Sequence, residues 1–182
     1  MKREFLFVLL AVAMFVCSCT EPSPEGPVPD DEPDEPVVEA KYKAGEYYKQ
    51  GLAEGIIAYV DESGEHGLLI SMDEGYEQWS TDYIMLIVQG GEFSRENGAR
   101  NTEYIKSQEN WEELYPAVVW CDSKNALGLS SWYLPAPAEL ANAALNIEAI
   151  NATLVEKGCE PIAMGVNDAY WSSEEFGVQG AY

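Results

Sequence analysis

An acidic, proline-rich stretch at residues 20–39 places the strongest limit on what this 182-residue chain can fold into. It reads TEPSPEGPVPDDEPDEPVVE and contains six prolines, eight acidic residues and no basic residue. Such a segment cannot bury enough apolar surface to offset the entropy of ordering it, and its charges repel one another. We therefore expect residues 19–40 to form a disordered tether with a reach on the order of 60 Å. The folded domain is then confined to residues 41–182.

A targeting signal precedes the tether. Lys2 and Arg3 stand ahead of an apolar run from Phe5 to Val16. As a helix this run would span about 18 Å, against a hydrocarbon layer of about 30 Å. The pattern predicts a secretory signal peptide that does not span the membrane.

The end of this signal, Val16-Cys17-Ser18-Cys19, resembles a bacterial lipobox. The resemblance implies that residues 1–18 are removed and that Cys19 is diacylated, so that the lipid anchors the chain to a membrane. Cys17 fits this role poorly because the bulky Val16 would precede the cut. A non-lipidated secretory signal cut nearby is the alternative.

The acidic residues behind Cys19 are similar to the surface-export signal of Bacteroidetes lipoproteins. This resemblance implies an outer-membrane lipoprotein displayed on the cell surface. If the stretch is only a solvated spacer, the domain faces the periplasm instead.

The domain itself is strongly acidic, with eight basic and 23 acidic residues and a net charge of −15. Nucleic acid is excluded as a partner because phosphate binding requires clustered Lys and Arg. The charge is compatible with Ca²⁺ or a cationic partner, and solubility alone is the commonest reason for it.

Two apolar runs, 56–60 and 67–72, flank Asp61-Glu62-Ser63-Gly64 and predict a buried β-hairpin. His66 lies at the return of the hairpin and has no second His or nearby Cys to complete a zinc site. Residues 80–91 favour a helix over a buried strand. Residues 92–101 predict a loop, and Asn101 or Thr102 then caps a short helix through Lys106.

The prolines organise the second half of the domain. Trp111, Leu114, Val118 and Cys121 form one helical stripe that is interrupted at Pro116, which predicts a helix restarting there. Residues 132–134 predict a short extended piece and Pro137 the first turn of another helix. Its apolar face continues to Leu154, with a break at Asn146 or Asn151, and Lys157-Gly158 ends it. Residues 169–173 predict a strand.

The order of these motifs resembles a known class of bacterial domains. The matching residues are Asn97-Gly98, Asn101-Thr102, Ile105, Trp132 to Pro135, Glu139-Leu140, and Tyr170-Trp171-Ser172-Ser173. They resemble domains of unknown function with W-x-L-P and Y-W-S-S motifs, of the Fibrobacter major paralogous and Legionella collagen-like adhesin C-terminal type. The resemblance extends distantly to the C-type lectin fold and the formylglycine-generating enzymes. It implies an α+β, C-type-lectin-like fold with an N-terminal hairpin, two or three helices and a short central strand.

Two departures from that class stand out. Ala136 occupies a helix N-cap where the class often has Ser or Thr, at a cost of ~1 kcal/mol. Members of the class continue past YWSS through further strands, whereas about nine residues remain here. We expect a C-terminally truncated sequence with an incomplete sheet, or alternatively a short variant completed by a partner strand.

The candidate ligand-binding residues are Trp79, Tyr133, Glu174 and Glu175. The two aromatic rings are candidates for exposed stacking on a sugar, whereas Trp111, Trp120 and Trp171 are assigned to the core. Asp61, Asp168 and the two glutamates are oxygen donors without EF-hand spacing, so no metal and no cofactor are predicted. Cys121 and Cys159 form a disulfide or remain free thiols.

No catalytic residue is predicted, because scattered carboxylates give no specific sign of hydrolase chemistry. The leading hypothesis is a lipid-anchored, non-enzymatic surface domain that acts in adhesion or in binding a glycan or protein. A structural component of a surface assembly is the second hypothesis. An enzyme related to the formylglycine-generating fold is the third.

Overall fold

The computed structural model describes residues 41–82, 86, 91–125, 131–164 and 168–175. The predicted signal peptide, Cys19, the predicted tether and most of the predicted helix at 80–91 lie outside them. The described part has α+β architecture, as the sequence predicts. It contains three strands and five helices: β1 (Tyr47–Gln50), β2 (Ala53–Val60), β3 (Gly67–Ile70), α1 (Gly98–Lys106), α2 (Trp111–Leu114), α3 (Pro116–Ser123), α4 (Pro137–Leu145) and α5 (Ile147–Glu156).

The strands form an open antiparallel sheet in the order β1-β2-β3. The predicted hairpin is confirmed as β2 and β3. Gly64 adopts a φ of 72° in its turn, a conformation in which glycine avoids the Cβ clash. The Asp61 N–H donates to the His66 carbonyl at 2.9 Å, so His66 lies at the strand return as predicted.

A β-bulge at Ala58 connects the sheet to the helices. Ile57 pairs with Leu69 and Tyr59 with Leu68, which leaves Ala58 without a partner across the hairpin. Its carbonyl accepts instead from the Asn146 side chain at 3.0 Å, at the junction of α4 and α5. The helix break predicted at Asn146 is thus confirmed. The Asn146 side chain satisfies the carbonyl that has no hydrogen-bond partner in the sheet because of the bulge.

Helix α1 starts earlier than predicted. Asn97 is the N-cap and its side chain accepts from the Arg100 N–H at 2.8 Å. The prediction that Asn101 or Thr102 caps this helix is wrong, and so is the extension of the loop to residue 101. Both side chains are buried and bonded to other segments, so they are interior helix positions with tertiary partners.

The prolines act as predicted. Pro116 and Pro137 are the first residues of α3 and α4, where a missing N–H costs nothing. Gly158 follows α5 at a φ of 76°, and the Cys159 N–H donates back to the Leu154 carbonyl at 2.9 Å. Residues 169–173 were predicted as a strand, but this segment is irregular.

The core consists of three clusters of buried side chains. The first packs one sheet face against α4 and α5, and the second gathers α1, α3 and Trp79. The third covers the other sheet face through Tyr48, Ile57 and Leu69. Consecutive residues join them, because Tyr133 belongs to the first cluster, Leu134 to the second and Trp132 to the third.

Candidate functional site

Several of the motif residues in α1, WYLP and YWSS form one hydrogen-bond network inside the protein. Asn101, wholly buried on α1, donates from its side chain to the Ser173 hydroxyl at 2.9 Å and to the Ser94 carbonyl at 2.7 Å. The Ser94 N–H returns a bond to the Asn101 side-chain oxygen at 2.7 Å. One amide on α1 therefore holds the YWSS segment and the loop before α1 together.

The same helix also holds the WYLP segment. The Thr102 hydroxyl accepts from the Leu134 N–H at 3.1 Å, and the Ser173 N–H donates to the Pro135 carbonyl at 2.6 Å. The Trp79 indole N–H donates to the Ser172 carbonyl at 2.9 Å. WYLP and YWSS thus meet each other directly, with α1 beside both.

Glu139 is the charged member of this network. It is 8% exposed, and its carboxylate accepts from the Tyr133 hydroxyl at 2.8 Å, the Ala136 N–H at 2.7 Å and the Gly98 N–H at 3.2 Å. Burial raises the pKa of Glu139, although all three donors oppose the shift. The bond to Ala136 is half of a capping box, so Glu139 satisfies a backbone donor at the helix end where Ala136 has no capping side chain.

The motif residues are therefore occupied in holding segments together. Gly98 fits because a Cβ at this position would lie 2.5 Å from the Leu134 carbonyl oxygen and 2.6 Å from the Ala136 nitrogen. The network members Asn101, Thr102, Glu139, Ser172 and Ser173 are all buried. This part of the chain presents no open face to a ligand.

The structure places the four candidate ligand residues differently from the prediction. Trp79 is 1% and Tyr133 8% exposed, so the expected exposed stacking rings are buried. Glu175 is also buried and accepts from the Leu86 N–H at 3.0 Å. Glu174 is half-buried and lies 3.8 Å from Arg95 as an ion pair. The four do not form a common surface, because long-range packing covers three of them.

The three tryptophans assigned to the core occupy its margin. Trp111, Trp120 and Trp171 are half-buried and pack against the second cluster. Trp120 also carries the Lys124 ammonium 4.1 Å from its ring centroid, a cation–π contact. Gly75 packs on the same ring, since a Cβ there would come within 2.5 Å of it.

Cys121 and Cys159, the two cysteines among the described residues, are free thiols. Cys121 is buried in the second cluster, and burial raises its pKa far above the ordinary range. Cys159 is half-buried against the first cluster. Of the two alternatives left open by the sequence, the structure has the free thiols.

Metal-binding geometry is not found among the described residues, where no group of three His, Cys, Asp or Glu side chains is placed to hold an ion. Asp61 accepts from the Ser63 hydroxyl at 2.5 Å, which lowers the pKa of Asp61 and fits a turn carboxylate.

The helices in the described ranges are too short or too polar to cross a membrane.

An apolar cavity is the feature that sequence reasoning missed. It has a volume of about 300 Å³ and lies between β3, α4, α5 and the segment after α5. Its apolar lining includes Ile70, Leu140, Ala141, Ala144, Ile147 and Met164, and Asp168 and Tyr170 stand on one side. The i, i+3 spacing of Ala141 and Ala144 on α4 is a usable signal, because small residues on one helix face leave room beside it.

The cavity has an exposed apolar side chain in its lining. Met164, which lines it, is 51% exposed. Leu145 is 84% exposed and is not part of the lining, but it lies four residues after Ala141 and therefore on the same side of α4. An open apolar cavity of this kind is typical of surfaces that dock a partner.

A second depression adjoins the cavity. It has a volume of about 320 Å³ and is lined by Met72, Asp73, Glu74, Tyr76, Cys159 and Glu160. Tyr170 joins the two, because it lines the cavity while its hydroxyl donates to Glu74 at 2.8 Å. Burial is the main cause that raises the pKa of Tyr170, and Glu74 adds to it.

Comparison with known proteins identifies no relative: no family model matches the chain, and no curated protein or solved structure is significantly similar to it.

Proposed function

We propose that this chain is a lipid-anchored, surface-displayed and non-enzymatic domain that binds a ligand through the apolar cavity beside α4 and α5. The observation that carries the proposal is the open cavity of about 300 Å³ with its apolar lining. This volume is at the small end of typical ligand sites, which span ~300–1,000 Å³. It suits one apolar side chain or a group of that size.

A protein ligand is favoured over a glycan. Sugars are bound by exposed aromatic faces together with several hydrogen-bonding groups, whereas most of the cavity lining is apolar and only Asp168 and Tyr170 are polar. The rings predicted to form a sugar platform, Trp79 and Tyr133, are buried. An apolar side chain of a partner protein gains free energy by leaving water for such a cavity, at about 25 cal/mol per Å² buried.

The cavity is tested with the neutral, fluorescent, apolar dye Nile red. We expect the dye to bind the protein with enhanced fluorescence, and Ala144→Phe to weaken binding at least tenfold because the new ring fills the opening. Ala152→Phe makes the same change on an exposed site of α5 outside the lining and should leave binding unchanged. If Ala144→Phe folds, by circular dichroism, and binds the dye as the parent does, the cavity is not the site.

The anchor is tested separately in the full chain, expressed in a bacterium with an outer membrane. The parent protein should incorporate labelled palmitate and be digested by protease added to intact cells. Cys19→Ala should abolish the label, whereas Cys17→Ala should retain it. A labelled Cys19→Ala variant would contradict lipidation at this residue, and resistance to protease on intact cells would place the domain on the periplasmic face.

Assembly through the sheet edge is the second candidate function. The observation in its favour is that β1 pairs only with β2 in the described part of the chain, so its outer edge is open. This edge is four residues long and carries the exposed Lys49, two features that discourage strand pairing. A protein that stays monomeric at high concentration in sedimentation experiments would exclude self-assembly through this edge.

A further inference from the structure

The charges around the apolar cavity indicate which partner it accepts. Asp73 in the adjoining depression is paired with Lys124, at 2.6 Å. Glu74 and Glu160 differ, because no basic side chain in the described ranges lies within ion-pair distance of either. Asp168 is a further carboxylate in the lining of the cavity itself. The side of the cavity that faces the second depression is therefore negative.

An aromatic ring stands in the same depression. Tyr76 is 63% exposed although it is large and partly apolar. An exposed aromatic face beside carboxylates is a favourable environment for a Lys or Arg side chain, because the negative face of the ring attracts a cation. The cavity thus offers a mostly apolar surface, and the adjoining depression offers carboxylates and an aromatic ring.

We infer that the cavity and the adjoining depression together bind one segment of a partner protein that carries an apolar residue next to a Lys or Arg. The apolar side chain enters the cavity lined by α4 and α5. The cationic side chain lies against Tyr76, Glu74 and Glu160. This inference rests on the proposed function, because it specifies the ligand of the same cavity.

Charge argues against the other occupants that this chain offers. The chain's own tether contains eight acidic residues and no basic one in residues 20–39, so the negative rim repels it. A second copy of the chain carries the same excess of acidic residues, with a net charge of −22. Opposite charge on the partner raises the rate of encounter and suppresses acidic competitors.

The test uses synthetic peptides of the form Gly-Ser-X-Z-Ser-Gly, labelled with a fluorophore, and the full-length protein. Position X is Leu, Phe, Met or Ser, and position Z is Lys, Arg, Gln or Glu. We expect binding, measured by fluorescence anisotropy, to require an apolar X and to be at least tenfold tighter with a basic than with an acidic Z. Raising NaCl from 50 to 500 mM should weaken binding of the Leu-Lys peptide and leave the Leu-Gln peptide unchanged.

Matched variants test whether the carboxylates of the adjoining depression cause the preference for a basic residue at position Z. Glu74→Gln combined with Glu160→Gln should reduce the preference for Lys over Glu to less than threefold without changing Leu-Gln binding. Glu148→Gln combined with Glu156→Gln removes two exposed charges from α5 outside both depressions and should keep the preference.

The outcomes separate this inference from the function on which it rests. If apolar peptides bind equally whatever Z is, and Ala144→Phe abolishes that binding, the cavity is a docking site and the cationic requirement is wrong. If no peptide of the set binds while Nile red binds the parent and not Ala144→Phe, this inference is overturned and the cavity remains a ligand site. If neither the peptides nor the dye bind, the proposed function fails as well. If binding follows Z but not X, the interaction is electrostatic only and the inference is overturned.

Discussion

Glu139 shows how one side chain can hold a fold together while resembling an active-site acid. It is a buried carboxylate with a raised pKa, the combination that often marks a catalytic group. Its three donors, however, come from Tyr133, Ala136 and Gly98, so its hydrogen bonds connect α1, the WYLP segment and the start of α4. The side chain is committed to structure.

We predict that Glu139→Gln lowers the free energy of unfolding by about 1–3 kcal/mol, because a buried donor loses its acceptor. The amide keeps the size of the carboxyl but offers one accepting oxygen where the parent uses two. Glu156→Gln, at an exposed position of α5, should change stability by less than about 0.5 kcal/mol. Urea unfolding at pH 7 measures both, and equal stability of the two variants would contradict this role.

The free energy of unfolding of the parent and of Glu139→Gln should depend differently on pH. Burial raises the pKa of Glu139 in the folded protein, so the folded state holds this proton more tightly than the unfolded state. Its contribution is fully present below the unfolded pKa, which is about 4.3 for Glu, and is lost as the pH rises through the raised folded value. The parent should therefore lose more stability than Glu139→Gln when the pH increases from 4 to 7.

The junction between α4 and α5 shows how separate elements are fitted to one another. The bulge at Ala58 leaves a carbonyl without a ladder partner, and the break between the helices places the Asn146 amide 3.0 Å from it. The Asn146 side chain at the break between the helices therefore supplies the donor that the Ala58 carbonyl lacks in the sheet. Both flank the first core cluster and the apolar cavity.

We predict that Asn146→Ala destabilises the protein by about 1 kcal/mol or more, because the Ala58 carbonyl loses its partner. Asn142→Ala is the control, since it removes the same amide from within α4, where alanine favours the helix. Thermal unfolding should show a lower midpoint for Asn146→Ala and an unchanged or higher one for Asn142→Ala. The reverse order would show that the bulge carbonyl does not depend on Asn146.

Three consecutive residues, Trp132, Tyr133 and Leu134, connect the core clusters of the domain. Each belongs to a different core cluster, and the neighbouring Pro135 accepts the Ser173 N–H at 2.6 Å. One short extended segment thus packs against both faces of the sheet and the α1–α3 helices. Because all three clusters share this segment, we expect the clusters to unfold together.

We predict that Leu134→Ala lowers the free energy of unfolding by about 2–5 kcal/mol, as expected for truncating a wholly buried side chain. Tryptophan fluorescence and far-ultraviolet circular dichroism should give coincident unfolding curves in the parent and the variant. Leu52→Ala, at a position that is 52% exposed, should change neither curve appreciably. Curves that separate in Leu134→Ala would show that the clusters unfold independently.

Much of the local structure was predictable from short-range chemistry. Pro116 and Pro137 begin helices because proline suits the first turn, and Gly158 follows the last helix because its φ is positive. The hairpin was readable because two apolar runs flank a turn sequence. These features depend on residues a few positions apart, so the sequence contains all the information that determines them.

Burial and the cavity required the tertiary structure. Trp79 lies against Ser172 and Glu175 against Leu86, contacts that join residues roughly ninety positions apart. Whether such a side chain is covered depends on which distant segment packs on it, and no local pattern records that. The apolar space beside Ala144 likewise exists only because β3, α4, α5 and Tyr170 meet without filling it. Local patterns therefore decided the hairpin and the helix ends at Pro116, Pro137 and Gly158, whereas the long-range packing of irregular segments decided which residues face a ligand.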